Sequence, residues 1–346
     1  MRLTGEQRYR FARDCVTLTG SWRTICAELM RRGWDESLCT EGRIKAARRD
    51  WKILRWQHEN GVGQHAVPFG VSTYTYTALN DNGETLRLPV FDGEPKLEGD
   101  WVVCGDVHLP TTDYELAETM LRVARDLGLK RLLIAGDLIN ADAFSLYEHV
   151  VPPVSFEDEV RVAVRVVSAW CDWFDDILLL MGNHELRVIR RSNGNINATM
   201  LGHILNAGHG KLRVSPYSHA IITSGGQVWR VTHQRNYSRI TGRLADQLAQ
   251  KYQCNIISLH QHHVAVQRDT WNRYTVIDGG GLHDDHKMAY VSLVDNNMPT
   301  MARGFVLLVH GTGHLITPYV GMTDLDVLVT GLRMRRQPSA GVSSPV

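Results

Sequence analysis

Several features are missing from this 346-residue chain, and each absence removes a class of protein. Its six cysteines (Cys15, Cys26, Cys39, Cys104, Cys171 and Cys254) are scattered and include no Cys-x-x-Cys pair. That argues against a disulfide framework or a cysteine zinc site and fits free thiols in a reducing cytoplasm. No apolar run approaches the roughly 20 residues of a membrane span, and the N-terminus has no apolar signal core. A cytoplasmic protein without a membrane partner is expected. There is no internal repeat and no overall charge excess, the formal net charge being +1. The charge is unevenly spread, however. Residues 1–60 carry 13 Lys/Arg against 8 Asp/Glu, a net of +5 that leaves −4 for the remainder.

That basic N-terminal stretch reads as three short helices. They run over Glu6–Leu18, Trp22–Arg32 (stopped by Gly33) and from about Thr40, with Ile44, Ala47, Trp51 and Leu54 on one face. Arg43, Lys45, Arg48, Arg49 and Lys52 decorate the third helix, so residues 1–60 are expected to form a helix-turn-helix-like unit. Arg43, Arg48 and Arg49 are its candidate DNA contacts; a merely solvated basic face is the alternative. Trp22, Trp34, Trp51 and Trp56 are expected in the core of this unit. Residues 61–99 read as a linker followed by a hairpin, Ser72–Thr77 and Thr85–Val90 around the turn Asn80-Asp81-Asn82-Gly83.

From Trp101 the pattern changes to alternating strands and helices. Three apolar runs end in the same way. Trp101–Cys104 leads through Gly105 to Asp106 and His108, Leu132–Ala135 through Gly136 to Asp137, and Leu178–Met181 through Gly182 to Asn183, His184 and Glu185. In open α/β sheets ligands gather beyond the carboxyl ends of the strands, so these residues should share one crevice. Helices are expected from Asp113 to Gly128, with Leu116, Met120, Val123 and Leu127 inward, and over Glu157–Phe174, with Val160, Val164, Val167 and Cys171 inward. The βαβαβ order predicts a mainly parallel sheet. Further strands are expected at Ala220–Ile222, Val228–Thr232, Asn255–Leu259, Tyr274–Ile277, Tyr290–Val294 and Phe305–Val309, as members of a second sheet, with one helix over Arg239–Tyr252. The tail 337–346 has the composition of a disordered segment.

Asp106, His108, Asp137, Asn183, His184, His233, His260 and His262, all at strand ends, combine carboxylate, amide and imidazole donors. Such a set suits a mid-row divalent ion and is about the right size for two. The blocks Asp106-x-His108, Gly136-Asp137, Gly182-Asn183-His184-Glu185, Thr232-His233 and His260-x-His262 resemble those of the calcineurin-like metallophosphoesterase superfamily, in order and roughly in spacing. The resemblance covers residues 100–320. It implies an α/β fold, a two-sheet α/β/β/α sandwich over residues 100–325, with the helical N-terminal unit beside it. It also implies two divalent metals, manganese first, iron or zinc as alternatives. By this resemblance Asp106, His108 and His262 hold the first, Asn183, His233 and His260 the second, and Asp137 bridges. His184 stays off the metals as general acid, or as a cation against the phosphate.

Two departures matter. The final block lacks its usual glycine, leaving the register open between His262 and His263; His262 is favoured because i, i+2 rings share one side of an extended segment. Asp137 is followed by Leu138-Ile139-Asn140 instead of the Asp-Arg-Gly of the Ser/Thr protein phosphatases, which argues against a phosphoprotein substrate. Arg187, Arg190, Arg235 and Arg239 follow the metal blocks and could bind the phosphates of a polyanion. A polar loop, His283–His286, has no assigned role. The expected activity is hydrolysis of DNA by a metal-activated hydroxide, with nucleic acid as partner. The alternative is a phosphatase or phosphodiesterase for nucleotides or other small esters.

Overall fold

The structure, a computed structural model, describes residues 5–48, 51, 78–79, 85–86, 91–145, 149, 151–206, 209–293, 301–319 and 321–336. The chain divides into two compact units, Met1–Pro89 and Val90–Val346.

In the first unit three helices, α1 (Gly5–Thr17), α2 (Trp22–Arg31) and α3 (residues 41–48), close around Phe11, Cys15, Ile25, Cys26, Leu29, Leu38 and Ile44. Ser21 caps α2 by accepting the Thr24 N–H, and the Thr40 hydroxyl accepts the Arg43 N–H at the start of α3. Residues 32–40 connect α2 to α3 and include a 3-10 turn at Glu36–Leu38. This is longer than the three- or four-residue turn of a helix-turn-helix. Trp22 is 43% exposed, not in the core as expected, while Trp34 packs edge-on against Phe11 and donates its indole N–H to Asp14. Trp51 stacks on Tyr9. Arg49, Lys52, Leu54 and Trp56 lie outside the described residues. Of the expected hairpin, the described part is β1 (Ala78–Leu79) paired antiparallel with β2 (Thr85–Leu86).

The second unit is a sandwich of two six-stranded sheets. In one, β4 (Trp101–Cys104), β5 (Arg131–Ile134), β6 (Asp176–Leu179) and β7 (Leu212–Val214) run parallel, and β13 (Phe305–Val309) joins β4 antiparallel with β14 (Thr312–Ile316) at its edge. The order in the other is β11 (Val264–Arg268), β12 (Thr275–Gly279), β10 (Asn255–Leu259), β9 (Gln227–His233), β8 (His219–Ser224), β3 (Lys96–Glu98). Residues 96–98 thus belong to this sheet, although the sequence reading puts them in the linker.

The continuous apolar runs are explained by burial on both faces. Val102, Leu132, Ile134, Ile177 and Leu179 face outward against Leu116, Met120 and Val123 of α4 (Tyr114–Asp126) and Ala163 and Val167 of α5 (Phe156–Cys171). Val103, Leu133 and Leu178 face inward against Ile222, Trp229, Val231, Ile257 and Ile277 of the other sheet. Helix α8 (Arg243–Tyr252) covers the far side through Ala245 and Ala249, against Ile256 and Val276. Helices α6 (Asn183–Arg191), α7 (Ala198–Leu205), α9 (Ala289–Ser292) and α10 (Met322–Arg336) complete the unit.

The elements differ from expectation at several points. Residues 289–292 are helical, so the Tyr290–Val294 strand does not form; a short apolar run does not distinguish strand from helix by its period. Helix α8 starts at Arg243 because the preceding Gly242 adopts a left-handed conformation and gives its N–H to the Asp278 carboxylate. The buried stripe of α5 is rotated to Glu159, Ala163, Val167, Trp170 and Cys171, leaving Val160 and Val164 half-buried. The tail from Gln337 lies outside the described residues. Among the described residues no helix is long and apolar enough to cross a membrane.

Candidate metal centre

Strand register delivers the donors. Cys104, Ile134 and Leu179 are aligned across β4, β5 and β6, so the loops that follow them emerge side by side. In the second sheet Leu259 lies opposite His233, which sets the β9 and β10 ends against the first group. The loops are then laced together. The Asp137 carbonyl accepts the N–H groups of both Val107 and His108, and Asp106 gives its N–H to the Gly136 carbonyl. Asp106, His108, Asp137, His260 and His262 all have φ between 47° and 85°. Left-handed backbone at five donor residues is strain of the kind held at functional sites.

Three overlapping donor groups result, each with ligand atoms within 4.8 Å of one another: Asp106, His108 and His262; Asp106, Asp137, His233 and His260; and His108, Asp137 and His184. Asn183 joins the second group, its Oδ1 lying 2.9 Å from His233 Nε2. The carboxylates are oriented by main-chain donors. Asp106 Oδ2 takes the His260 N–H at 2.8 Å and Asp137 Oδ1 takes the His184 N–H at 2.9 Å. This leaves Asp106 Oδ1 at 3.1 Å from His262 Nε2, and Asp137 Oδ2 at 3.3 Å from His233 Nε2 and 3.6 Å from His184 Nε2. His263 joins none of these groups. The segment that carries His260 and His262 is not extended as expected, since both residues are left-handed.

The donor set fits divalent ions. His233 gives its Nδ1–H to the Ala135 carbonyl, so its Nε2 faces the oxygens of Asn183 and Asp137. His108 Nε2 is buried with no hydrogen-bond partner. Buried lone pairs and carboxylate oxygens converging in this way are stabilised by a cation. The proton affinities show the same tension. Burial disfavours a charged His233, but the Asp137 carboxylate overrides it and raises the imidazole to about 10. Burial and then the neighbouring His233 lower His260 to about 4. Burial would raise Asp106 and Asp137, yet His262 for the first and His184 and His233 for the second hold both below the usual carboxylate range.

A family model for calcineurin-like phosphoesterases matches residues 101–304, more than half of the chain. The chain belongs to the calcineurin-like phosphoesterases. It is accordingly a metal-dependent phosphoesterase, and the family implies a dinuclear site. No curated protein matches this phosphoesterase significantly. Similar solved structures include Vps29 of Chaetomium thermophilum (9% identity, 60% of this chain and 79% of that one, TM-score 0.32). Others are vacuolar protein sorting 29 of Cryptosporidium parvum (12%, 63% and 95%, TM-score 0.34) and Zn²⁺-complexed Vps29 of Entamoeba histolytica (13%, 63% and 97%, TM-score 0.31). Similarities this weak carry no argument of their own.

Residues to which the sequence assigns no role complete the centre. Glu185, fully buried, accepts the N–H groups of Asp137, Leu138 and Gly182. Burial, and next the charge of Asp137, push its carboxyl up to about 7. His283 is buried and stacks on His262, ring centroids 4.1 Å apart. Its loop neighbours turn elsewhere, Asp284 pairing with Lys287 and His286 being exposed. Asn140 contacts both His108 and His184. Of the expected substrate arginines, Arg187 is half-buried, 3.6 Å from Asp142 and 3.4 Å from the Asn140 carbonyl. Arg190, Arg235 and Arg239 are exposed. In the N-terminal unit Arg43 is exposed, whereas Arg48 gives its guanidinium hydrogens to the carbonyls of Cys15 and Leu18.

Proposed function

We propose that this phosphoesterase is a phosphodiesterase acting on nucleic acid, DNA first. The observation that carries this reading is the segment after β9. Arg235, Tyr237, Arg239 and Ile240 are all exposed there, Tyr237 by 41% and Ile240 by 58%. The segment is tied to the metal loop by the Ser238 N–H, which donates to Gln261 Oε1 between His260 and His262. An exposed aromatic flanked by guanidinium groups suits a strand whose phosphates and bases extend past the scissile bond.

In this reading Asp106, His108 and His262 would hold one divalent cation and Asn183, His233 and His260 the other, with Asp137 serving both. Manganese is the ion proposed first, iron or zinc being chemically suited to the same donors. Bound there, the ions supply charge to the phosphoryl oxygens and lower the pKa of an attacking water. The chain's own contribution is orientation. Main-chain N–H groups fix one oxygen each of Asp106 and Asp137, and His184 presents Nε2 beside Asp137, where it can give a proton to the leaving oxygen or face the phosphate as a cation. Arg187 lies alongside.

The test is hydrolysis of single- and double-stranded DNA, bis(p-nitrophenyl) phosphate and p-nitrophenyl phosphate by the full chain with Mn²⁺. Both diesters should be cleaved, and Asp137→Asn should abolish both activities. Arg235→Ala/Arg239→Ala should cleave DNA at least tenfold more slowly, with little change on the small diester. Activity confined to p-nitrophenyl phosphate, or to the two nitrophenyl esters with none on DNA, would establish the small-molecule reading instead.

A further inference from the structure

Asn140 lies between the two histidines that the proposed reaction uses differently. Its side-chain Nδ2 donates to Asp142 Oδ2 at 2.5 Å. A carboxylate only accepts, so this contact sets which end of the amide faces which way. The oxygen is left 3.1 Å from His108 Nδ1. An amide oxygen has no hydrogen to give, so His108 Nδ1 carries the proton and Nε2 the lone pair. That Nε2 is the buried atom without a partner, 3.8 Å from Asp106 Oδ1. The main-chain carbonyl of Asn140 meets His184 Nδ1 at 2.5 Å. It too can only accept, which directs His184 Nε2 toward Asp137 Oδ2 at 3.6 Å. The two rings pack edge-to-face with centroids 4.6 Å apart.

We infer that Asn140 is a positioning residue that fixes the tautomers of His108 and His184 together, through its side chain and its carbonyl respectively. Each ring then presents Nε2 to the metal centre. The inference rests on the reading of His108 as a ligand and His184 as the group facing the phosphate. The hub is anchored on a residue outside the donor groups. Ala141, left-handed at φ 51°, and Asp142 give their N–H groups to Glu159, a fully buried residue of α5, at 2.7 and 3.4 Å. Arg187 closes the ring on Asp142. The orientation of both imidazoles is thereby tied to a 16-residue helix packed on the sheet.

Substitution separates the two arms, because the carbonyl survives any side-chain change. The full chain, labelled with ¹⁵N-histidine and stripped of metal, is read by long-range ¹H–¹⁵N correlation of the ring nitrogens. In the wild type His108 and His184 should both show the Nδ1–H form. In Asn140→Ala, His108 should become a mixture of tautomers while His184 keeps its form. Zn²⁺ affinity, measured by competition with a chelator, should fall about 10- to 100-fold in Asn140→Ala. A wild-type His108 in the Nε2–H form overturns the inference, as does Asn140→Ala with unchanged His108 and unchanged Zn²⁺ affinity. Equal disturbance of both histidines does so too, since that is the mark of a loop merely loosened. If the alanine variant does not fold, Asn140→Leu, close to asparagine in shape, removes the same acceptor and is read the same way. No readout depends on turnover, so failure of the proposed reaction and failure of this inference are separate results.

Discussion

The carboxylate of Glu185 holds the main chain of Asp137. Its Oε2 takes the Asp137 N–H at 2.9 Å and the Gly182 N–H at 3.0 Å, while Oε1 takes the Leu138 N–H at 2.8 Å. One side chain from the first turn of α6 therefore fixes the left-handed bend that aims the Asp137 carboxylate into the cluster. Gly182 has to be glycine for this closeness, because a Cβ there would collide with Asp137 and with Glu185 itself.

Removing the clamp should be expensive. In Glu185→Ala three buried N–H groups lose their acceptor, at about 1–3 kcal/mol each. Denaturant unfolding should show a loss of about 3 kcal/mol or more, with weakened metal binding. Glu185→Gln keeps the shape but turns an amide N–H₂ toward at least one N–H donor, so an intermediate loss is expected. A Glu185→Ala protein as stable as wild type would show that water replaces the carboxylate and that the clamp does not hold the bend.

His184 tests the division of labour within the cluster. His184→Ala should lower kcat by about 10²–10⁴-fold, the range for a lost general acid or base. Metal content should be nearly unchanged, because His233, His260, Asn183 and both aspartates remain. A large loss of bound metal, measured by elemental analysis of the dialysed variant, would place His184 among the ligands.

Much of this centre is legible in the sequence because two physical signals coincide there. Buried strands are continuous apolar runs, and Gly105, Gly136 and Gly182 mark where those runs stop and polar residues begin. What was not legible depends on backbone conformation or on partners distant in sequence. Nothing in the chain announces that Asp106, His108 and His260 are left-handed, and no residue pattern marks the Asn140 carbonyl as the acceptor for His184. The edge strand β11 is not legible because it has no fully buried side chain to set a pattern: Val264 and Ala265 are half-buried, and Val266, Gln267 and Arg268 exposed. Arg48 reads as one more basic surface residue until its contacts with Cys15 and Leu18 are seen.

Glu159 supplies a pH-dependent term with a definite sign. Burial raises its carboxyl from 4.5 to about 7, against the opposing hydrogen bonds from Ala141 and Asp142. A group raised on folding binds its proton more tightly in the native state. Its contribution is therefore complete below about pH 4.5 and is lost as pH rises through 7, by up to ~1.4 kcal/mol per pH unit between those limits. Glu159→Gln should remove this slope, so the stability difference between variant and wild type should shift in the variant's favour from pH 5 to pH 7.5. Parallel stability curves for the two proteins over that range would mean that Glu159 is ionised throughout.

The N-terminal unit decides how far the nucleic-acid proposal extends. All twelve strands of the sandwich and every candidate ligand lie in Val90–Val346, so removal of residues 1–89 should spare hydrolysis of bis(p-nitrophenyl) phosphate. If the helices dock DNA through Arg and Lys, the truncated protein should bind long DNA more weakly, and its affinity should fall less steeply with salt than that of the intact chain. Point substitution needs care here. Arg48→Ala would take donors from the last carbonyls of α1, so weaker DNA binding in that variant would report lost helix packing as much as lost charge. Arg43 is exposed, its main-chain N–H is held by Thr40, and Arg43→Glu reverses a charge without disturbing that cap. Arg43→Glu should lower DNA affinity at 50 mM salt by severalfold and lose much of that effect at 300 mM, while thermal stability stays within about 0.5 kcal/mol of wild type. Unchanged DNA binding by both the truncated protein and Arg43→Glu would remove the docking role and leave the three helices as a module for a protein partner.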